Sequence, residues 1–176
     1  EYMKEKMTQS YLLDNLYSGT ILNEGYPRNS GFFDKTVGQN IRTELGLEGK
    51  KVALYMPTWR GTLTKKTSDQ LILMMEYYLR PLDYLLKENE VLYVKLHPFV
   101  NKAMDFSKYQ HIRPYPSEYD TYEFLNMTDV LITDYSSVFY DYANTGKKIV
   151  LFPYDESKYI KERGLYTLPE ELCFPV

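Results

Sequence analysis

The chain has 176 residues, enough for one α/β domain with a core of its own. Its formal net charge of −3 argues against a general nucleic-acid binder, which needs a dense basic stripe, and no apolar run reaches the roughly 20 residues that span a bilayer. The single cysteine, Cys173, excludes an intramolecular disulfide and a cysteine-rich zinc site and suits a reducing cytoplasm.

The sequence starts at Glu1, without an initiator Met and inside a helical pattern, so it reads as a piece of a longer protein. Glu1 to Tyr17 alternates charge with Met, Tyr and Leu at helical spacing and ends at Gly19, which predicts a helical segment over 1–20 and a domain over 21–176. Thr20 to Leu22 reads as a short strand entering the turn at Gly25. Val37 to Leu45 reads as a helix stopped by Gly46. Val52 to Met56 is a short apolar run closed by Pro57, the signature of a buried strand. Thr58 to Thr67 reads as a loop, and Ser68 as the cap of a long helix reaching Lys87, with Pro81 as a kink. Val91 to Leu96 is a second buried strand, Ile112 marks a short one, and Tyr119 to Met127 reads as a helix. Asp129 to Thr133, helical Val138 to Asn144, and Ile149 to Phe152 complete the series. Nearly all-apolar strands alternating with helices predict a parallel sheet covered on both faces, a Rossmann-like doubly wound α/β domain with ligands at the carboxyl ends of its strands.

The chemistry-bearing residues cluster just after those strands. Thr133-Asp134-Tyr135-Ser136-Ser137 ends a strand and opens a helix, where unpaired amides and two hydroxyls suit a phosphate or diphosphate; helix capping by either serine is the alternative. Asp134 is either a loop-orienting acceptor or catalytic. In Lys95-Leu96-His97-Pro98, alternation places Lys95 and His97 on one side, and His97 is either a donor or acid toward a phosphate or a histidine satisfied by backbone. Pro57-Thr58-Trp59-Arg60-Gly61 offers a hydroxyl and a guanidinium fork matched to phosphate oxygens, with Trp59 as packing. Arg28 in Tyr26-Pro27-Arg28-Asn29 has a loop-holding ion pair as its alternative role. After the last strand, Asp155 suits a sugar hydroxyl, while Arg163 either meets a phosphate or pairs with Asp155 or Glu162. Two histidines without a second ligand type at metal spacing predict no metal site. Lacking a P-loop, Gly-x-Gly-x-x-Gly and Gly-x-Ser-x-Gly, the chain is disfavoured as an NTPase, a dinucleotide oxidoreductase or a serine hydrolase, and no cofactor is expected.

The order of these clusters, from Gly25-Tyr26-Pro27-Arg28-Asn29 to Pro153-Tyr154-Asp155 with Arg163-Gly164, closely resembles the C-terminal half of the CDP-glycerol:poly(glycerophosphate) glycerophosphotransferases, the family that builds teichoic acid chains. The resemblance covers Leu22 to Tyr166, and Asp129 through Asp141 is its most specific stretch. It departs at Ser30, where the family has an Asp.

What the resemblance implies is the C-terminal domain of a GT-B transferase holding a CDP-glycerol donor. His97, Ser136 and Ser137 would grip the diphosphate, with Thr58 and Arg60 assisting. Asp134 would order the loop, Arg28 would sit near the interdomain junction, and Asp155 and Arg163 would line the crevice. Apart from the resemblance, Tyr115 to Glu123 follows a strand and is a candidate nucleoside wall by position. The acceptor, a polyol-phosphate polymer or lipid-linked primer, and the base would meet a missing N-terminal domain, so this piece alone would bind donor without turnover. The parent would lie peripherally on the cytoplasmic face of the bacterial membrane. Rival expectations are a GT-B transferase using CDP-ribitol or a nucleotide sugar, and a non-catalytic ligand-binding module.

Overall fold

The computed structural model describes residues 2–60, 65–165 and 167–172. The chain opens with α1 (Tyr2–Ser10) and α2 (Leu13–Leu16), which pack on each other. Thr20 to Leu22 is not the expected strand: among the described residues no strand pairs with it, and Leu22 is largely exposed. A 3-10 turn over Pro27–Phe32 then leads into α3 (Lys35–Glu44). Asp34 caps α3 by accepting the Thr36 N–H at 3.0 Å. Gly46, at φ 62°, closes it, so that the Leu47 N–H returns to the Arg42 carbonyl at 2.8 Å.

Five strands follow, each trailed by helix or loop. They are β1 (Lys51–Tyr55), β2 (Glu90–Val94), β3 (Ile112–Pro114), β4 (Val130–Thr133) and β5 (Lys148–Leu151). Between and after them lie α4 (Lys65–Leu85), α5 (Pro98–Ala103), α6 (Thr121–Met127), α7 (Val138–Ala143) and α8 (Glu156–Arg163). Ser68 is therefore not a cap but lies inside α4, which is already helical at Lys65; Gly61 to Thr64 of the expected loop lie outside the described residues. Pro81 does not split α4. It sits on the exposed side of the helix, where the lost backbone bond costs least. The sequence reading missed α5 and α8; α5 has six residues, too few to establish a period, and only Pro98 at its first position marks it.

All pairings are parallel, in the order β3-β2-β1-β4-β5. The chain moves outward from β1 to β3, then crosses back to β4 on the other side of β1, so the order reverses between β1 and β4. The register pairs Tyr55 with both Val94 and Ile132, and Thr133 with Leu151. The carboxyl ends of four strands are thereby level, and the loops that leave them start from one edge. At such a reversal the outgoing loops splay to opposite faces and leave a crevice.

Side-chain alternation divides the core in two. Val52, Leu54, Val91, Tyr93, Leu131, Ile149 and Leu151 face α3, α6 and α7, whereas Tyr55, Leu92, Val94 and Ile112 face α4 and α5. At the amino edge Arg42 ties three elements together, donating to the Met127 carbonyl (2.7 Å), the Lys50 carbonyl (2.9 Å) and Asp129 (2.7 Å). Asp129 in turn accepts the Val52 N–H at 2.8 Å.

The packing of α3 on α6 needs Gly38. A Cβ there would stand 2.9 Å from Asn126 Oδ1 and 3.3 Å from the Asn126 carbonyl carbon. Asn126 cannot swing aside, since its buried amide donates to the Gly31 and Asp34 carbonyls at 2.5 and 2.7 Å. Gly38→Ala is therefore expected to lower stability by about 1–3 kcal/mol through overpacking, outweighing the roughly 1 kcal/mol that alanine gains in helix propensity. A urea midpoint shifted upward would show that the helices separate freely instead.

Candidate functional site

The carboxyl edge is organised around a buried carboxylate. Asp134 follows β4 directly, and its side chain has no solvent exposure. Burying an ionised carboxylate is costly unless it is paired and hydrogen-bonded. Here Oδ1 accepts the Thr58 N–H (2.8 Å), the Thr58 hydroxyl (2.6 Å) and the Tyr135 N–H (2.6 Å). Oδ2 accepts Arg60 Nη2 at 2.5 Å. The loop after β1 is thus tied to the loop after β4, across the point where strand order reverses.

Arg60 extends this tie to β5. Its Nε and Nη2 donate to the two oxygens of Asp155 at 2.8 and 3.0 Å, and Nη1 donates to the Thr58 carbonyl at 2.6 Å. The rings of Tyr135, Tyr154 and Tyr159 stand 5.1, 5.4 and 5.2 Å from the guanidinium carbon. Burial alone would lower the pKa of Arg60, but bonds to Asp155 and the charge of Asp134 override it and push the value up. Tyr135, stacked on Tyr159 at 3.9 Å, also donates its hydroxyl to Asp155 at 3.2 Å. Burial, with Asp155 and Asp134 adding to it, pushes Tyr154 up to about 12, so that phenol stays neutral.

Above this lock opens a cavity of about 300 Å³ lined by residues following β1, β2, β4 and β5, with Leu71 and Met75 of α4 as an apolar wall. Thr58, Arg60, His97 and Ser136 all line it, as do Trp59, Lys95 and Tyr154. His97 precedes α5 with its ring against Trp59, 4.2 Å between centroids and tilted by 32°. Trp59 packs within the core on the α4 face. Lys95 goes to the other face, its Nζ 3.7 Å from the centroid of the Tyr115 ring. The expected same-sided placement of Lys95 and His97 is thus not realised, because β2 ends at Val94 and strand alternation stops with it.

The serines are poorly engaged as caps. Ser137 holds the cap position of α7 but makes no side-chain cap bond, and Ser136 Oγ meets the Val138 N–H only at 3.5 Å. Asp155 precedes α8 without capping it, being held by Arg60. Five sequence candidates lie outside the cavity lining: Asp134 and Asp155 within the lock, Ser137 exposed at the start of α7, and Arg28 and Arg163. Arg28 is bonded through Nε (2.9 Å) and Nη2 (3.2 Å) to Asp141, whose side chain is 5% exposed and which also accepts the Tyr122 hydroxyl at 2.8 Å. Its role in the structure is to fasten the turn over Pro27–Phe32 to α7. Arg163 ends α8 on the exposed surface, while Asp155 pairs with Arg60 and Glu162 with Lys158. Tyr135, Tyr154 and Tyr159, which stand within or beside the sequence clusters but were given no role of their own, surround Arg60.

Matched against known families, residues 1–174 fit the CDP-glycerol:poly(glycerophosphate) glycerophosphotransferases. The chain belongs to this family. Among its relatives are a teichoic acid poly(glycerol phosphate) polymerase of Staphylococcus epidermidis, 36% identical over 89% of the chain and 23% of the relative, and a teichoic acid poly(ribitol-phosphate) polymerase of Bacillus spizizenii, 34% identical over 83% and 24%. A solved structure of the wall teichoic acid polymerase TagF superposes with a TM-score of 0.67 at 32% identity, covering 88% of this chain and 39% of that one. A TagF variant solved with CDPG gives 0.63 at 34% identity, over 84% and 35%. The chain spans about a quarter of the length of these polymerases. Its sheet has the Rossmann-like doubly wound α/β fold of a GT-B transferase domain.

The lock is expected to behave as one unit. Arg60→Ala strands a fully buried carboxylate and should cost about 3–5 kcal/mol. Combined with Asp134→Asn it should cost less than the sum of the two single changes, by about 1 kcal/mol or more. Urea midpoints of wild type and the three variants measure this, and strict additivity would mean that the two side chains are not coupled.

Proposed function

We propose that this chain is the donor-binding domain of a transferase that moves glycerol phosphate from CDP-glycerol to the terminal hydroxyl of a teichoic-acid-type polymer or its primer, releasing CMP. The observation that carries the reading is the cavity at the strand-order reversal. In a member of this family, it brings Thr58, His97 and Ser136 together above the Asp134–Arg60–Asp155 lock, with Ser137 exposed at the start of α7. A diphosphate needs positioned donors where charge grows during displacement, and hydroxyls and an imidazole meet that need.

In this reading the acceptor oxygen attacks the phosphorus that bears glycerol. A new O–P bond forms, the bond from that phosphorus to the bridging oxygen breaks, and the electron pair leaves with CMP. His97 hydrogen-bonds or protonates the departing phosphate, and Ser136 and Ser137 hold the diphosphate. Thr58 is positioned by Asp134 and still borders the cavity. Arg60 and Asp155 act through the lock, and Arg28 and Arg163 serve the surface toward the rest of the protein. The acceptor hydroxyl gives its proton to a base outside this chain. Residues 1–20 form the link to a preceding domain, and 21–176 the donor domain in the C-terminal position.

No described helix is long and apolar enough to cross a membrane. In this reading the parent lies peripherally on the cytoplasmic face of the membrane, where a nucleotide-activated donor is available. A second reading, CDP-ribitol as donor, is favoured by the ribitol-phosphate polymerases among the relatives, at 32 and 34% identity.

Calorimetric titration with CDP-glycerol, CDP-ribitol and UDP-glucose separates these readings. CDP-glycerol is expected to bind best, and a Ser136→Ala/Ser137→Ala double variant to lose about tenfold or more, the worth of one or two hydrogen bonds to a charged group. Tighter binding of CDP-ribitol would select the second reading, equal uptake of UDP-glucose would point to a nucleotide-sugar transferase, and a double variant that binds normally would sink the assigned site.

A further inference from the structure

The charge balance of the cavity does not favour its proposed ligand if Arg60 is taken as the phosphate-binding cation. Two cationic side chains are among the residues that line the cavity, Arg60 and Lys95. Arg60 is shared between two carboxylates, Asp134 and Asp155. That cluster carries one positive and two negative charges. A diphosphate brought to it would meet net repulsion, and breaking the fork to reach the ligand would strand the buried Asp134.

Lys95 differs on each point. Among the described residues no carboxylate forms an ion pair with it, and its ammonium rests on the face of Tyr115. An aromatic face stabilises an ammonium without neutralising it. Tyr115 is itself held, buried in the core on the α6 face, with its hydroxyl donating to the Tyr119 carbonyl at 2.5 Å. Asp120 acts on Lys95 at a distance, but its Oδ1 is taken by the first amides of α6. Burial pushes the Lys95 pKa down, so its charge is held there against a desolvation cost. Lys95 leaves β2 on the sheet face that α7 also covers, and β1 alone separates its strand from β4. Two strand spacings make about 10 Å, a gap that a lysine stem and a bound diphosphate together bridge.

We propose that Lys95, held on the Tyr115 ring, is the cation that binds the donor diphosphate, and that Arg60 serves the loop architecture instead. The assignment rests on the donor-binding reading of the same cavity.

The test is titration of wild type, Lys95→Met, Lys95→Arg and the surface variant Lys87→Met with CDP-glycerol and with cytidine, beside urea midpoints. Lys95→Met is expected to weaken CDP-glycerol about tenfold or more, the loss of one charge-assisted bond, and to make the remaining binding less sensitive to salt. Lys95→Arg should recover most of the affinity, and Lys87→Met should match wild type. Cytidine, which has no phosphate, should bind all four alike. Lys95→Met should also unfold at the same urea concentration as wild type or higher, because an uncompensated, partly buried charge has been removed. A purely structural lysine would reverse that last result. Wild-type CDP-glycerol affinity in Lys95→Met overturns this inference and leaves the donor reading standing. Failure of the wild type to take up CDP-glycerol overturns the donor reading and this inference with it.

Discussion

Four parallel strands end level at one edge of the sheet, and three of the loops that leave it are tied together through Arg60 and a carboxylate, Asp134, with no access to water. A charge in that position can persist only if donors surround it, and the surrounding donors come from residues far apart in the chain. Thr58 supplies two, Arg60 one, and the Tyr135 amide another. Satisfying Asp134 therefore fixes the path of the β1 loop. Arg60, once fixed, fixes Asp155 and so the exit from β5. The cavity exists because these loops are held apart from α4 and α5 by a polar lock that cannot collapse without leaving a buried charge unpaired.

This division of labour separates holding from binding. Arg60 has the guanidinium chemistry usually read as phosphate recognition, yet three of its hydrogen bonds reach carboxylates and one a carbonyl. Its ring of tyrosines stabilises a cation that stays in place. The groups that border the cavity without being consumed by the lock are of another kind: Ser136, His97 beside Trp59, and Lys95 over Tyr115. Rigid carboxylate–arginine ties behind softer, solvent-facing donors give the cavity a preorganised polar wall, which is what the proposed charged ligand would need.

Membership of the glycerophosphotransferase family places the domain in teichoic acid synthesis, whereas glycerol and ribitol relatives lie at similar distance. The cavity accounts for that closeness. In the donor reading, what organises it would address a diphosphate, which both donors carry, and an alditol differing in length would be read at the rim or by the rest of the protein.

The sequence by itself determined the sheet and the place of the site. Apolar runs at Val52, Val91 and Ile149, punctuated by Pro57, Pro98 and Pro153, mark buried parallel strands, because burial on both faces removes the polar alternation. Motifs set directly after those strands had to fall at the carboxyl edge. What needed the tertiary structure was the partner of each charged group. Asp134 lies 74 residues from Arg60, and Arg28 lies 113 from Asp141, separations over which local pattern carries no pairing information. The same limit explains the short elements. Thr20 to Leu22 has strand composition but no neighbour to complete a ladder, while Pro98–Ala103 is a helix too brief to show a period. Spacing along the chain tells which residues reach the edge of the sheet. Only the packed loops decide which of them spend their charge on one another and which keep it for a ligand.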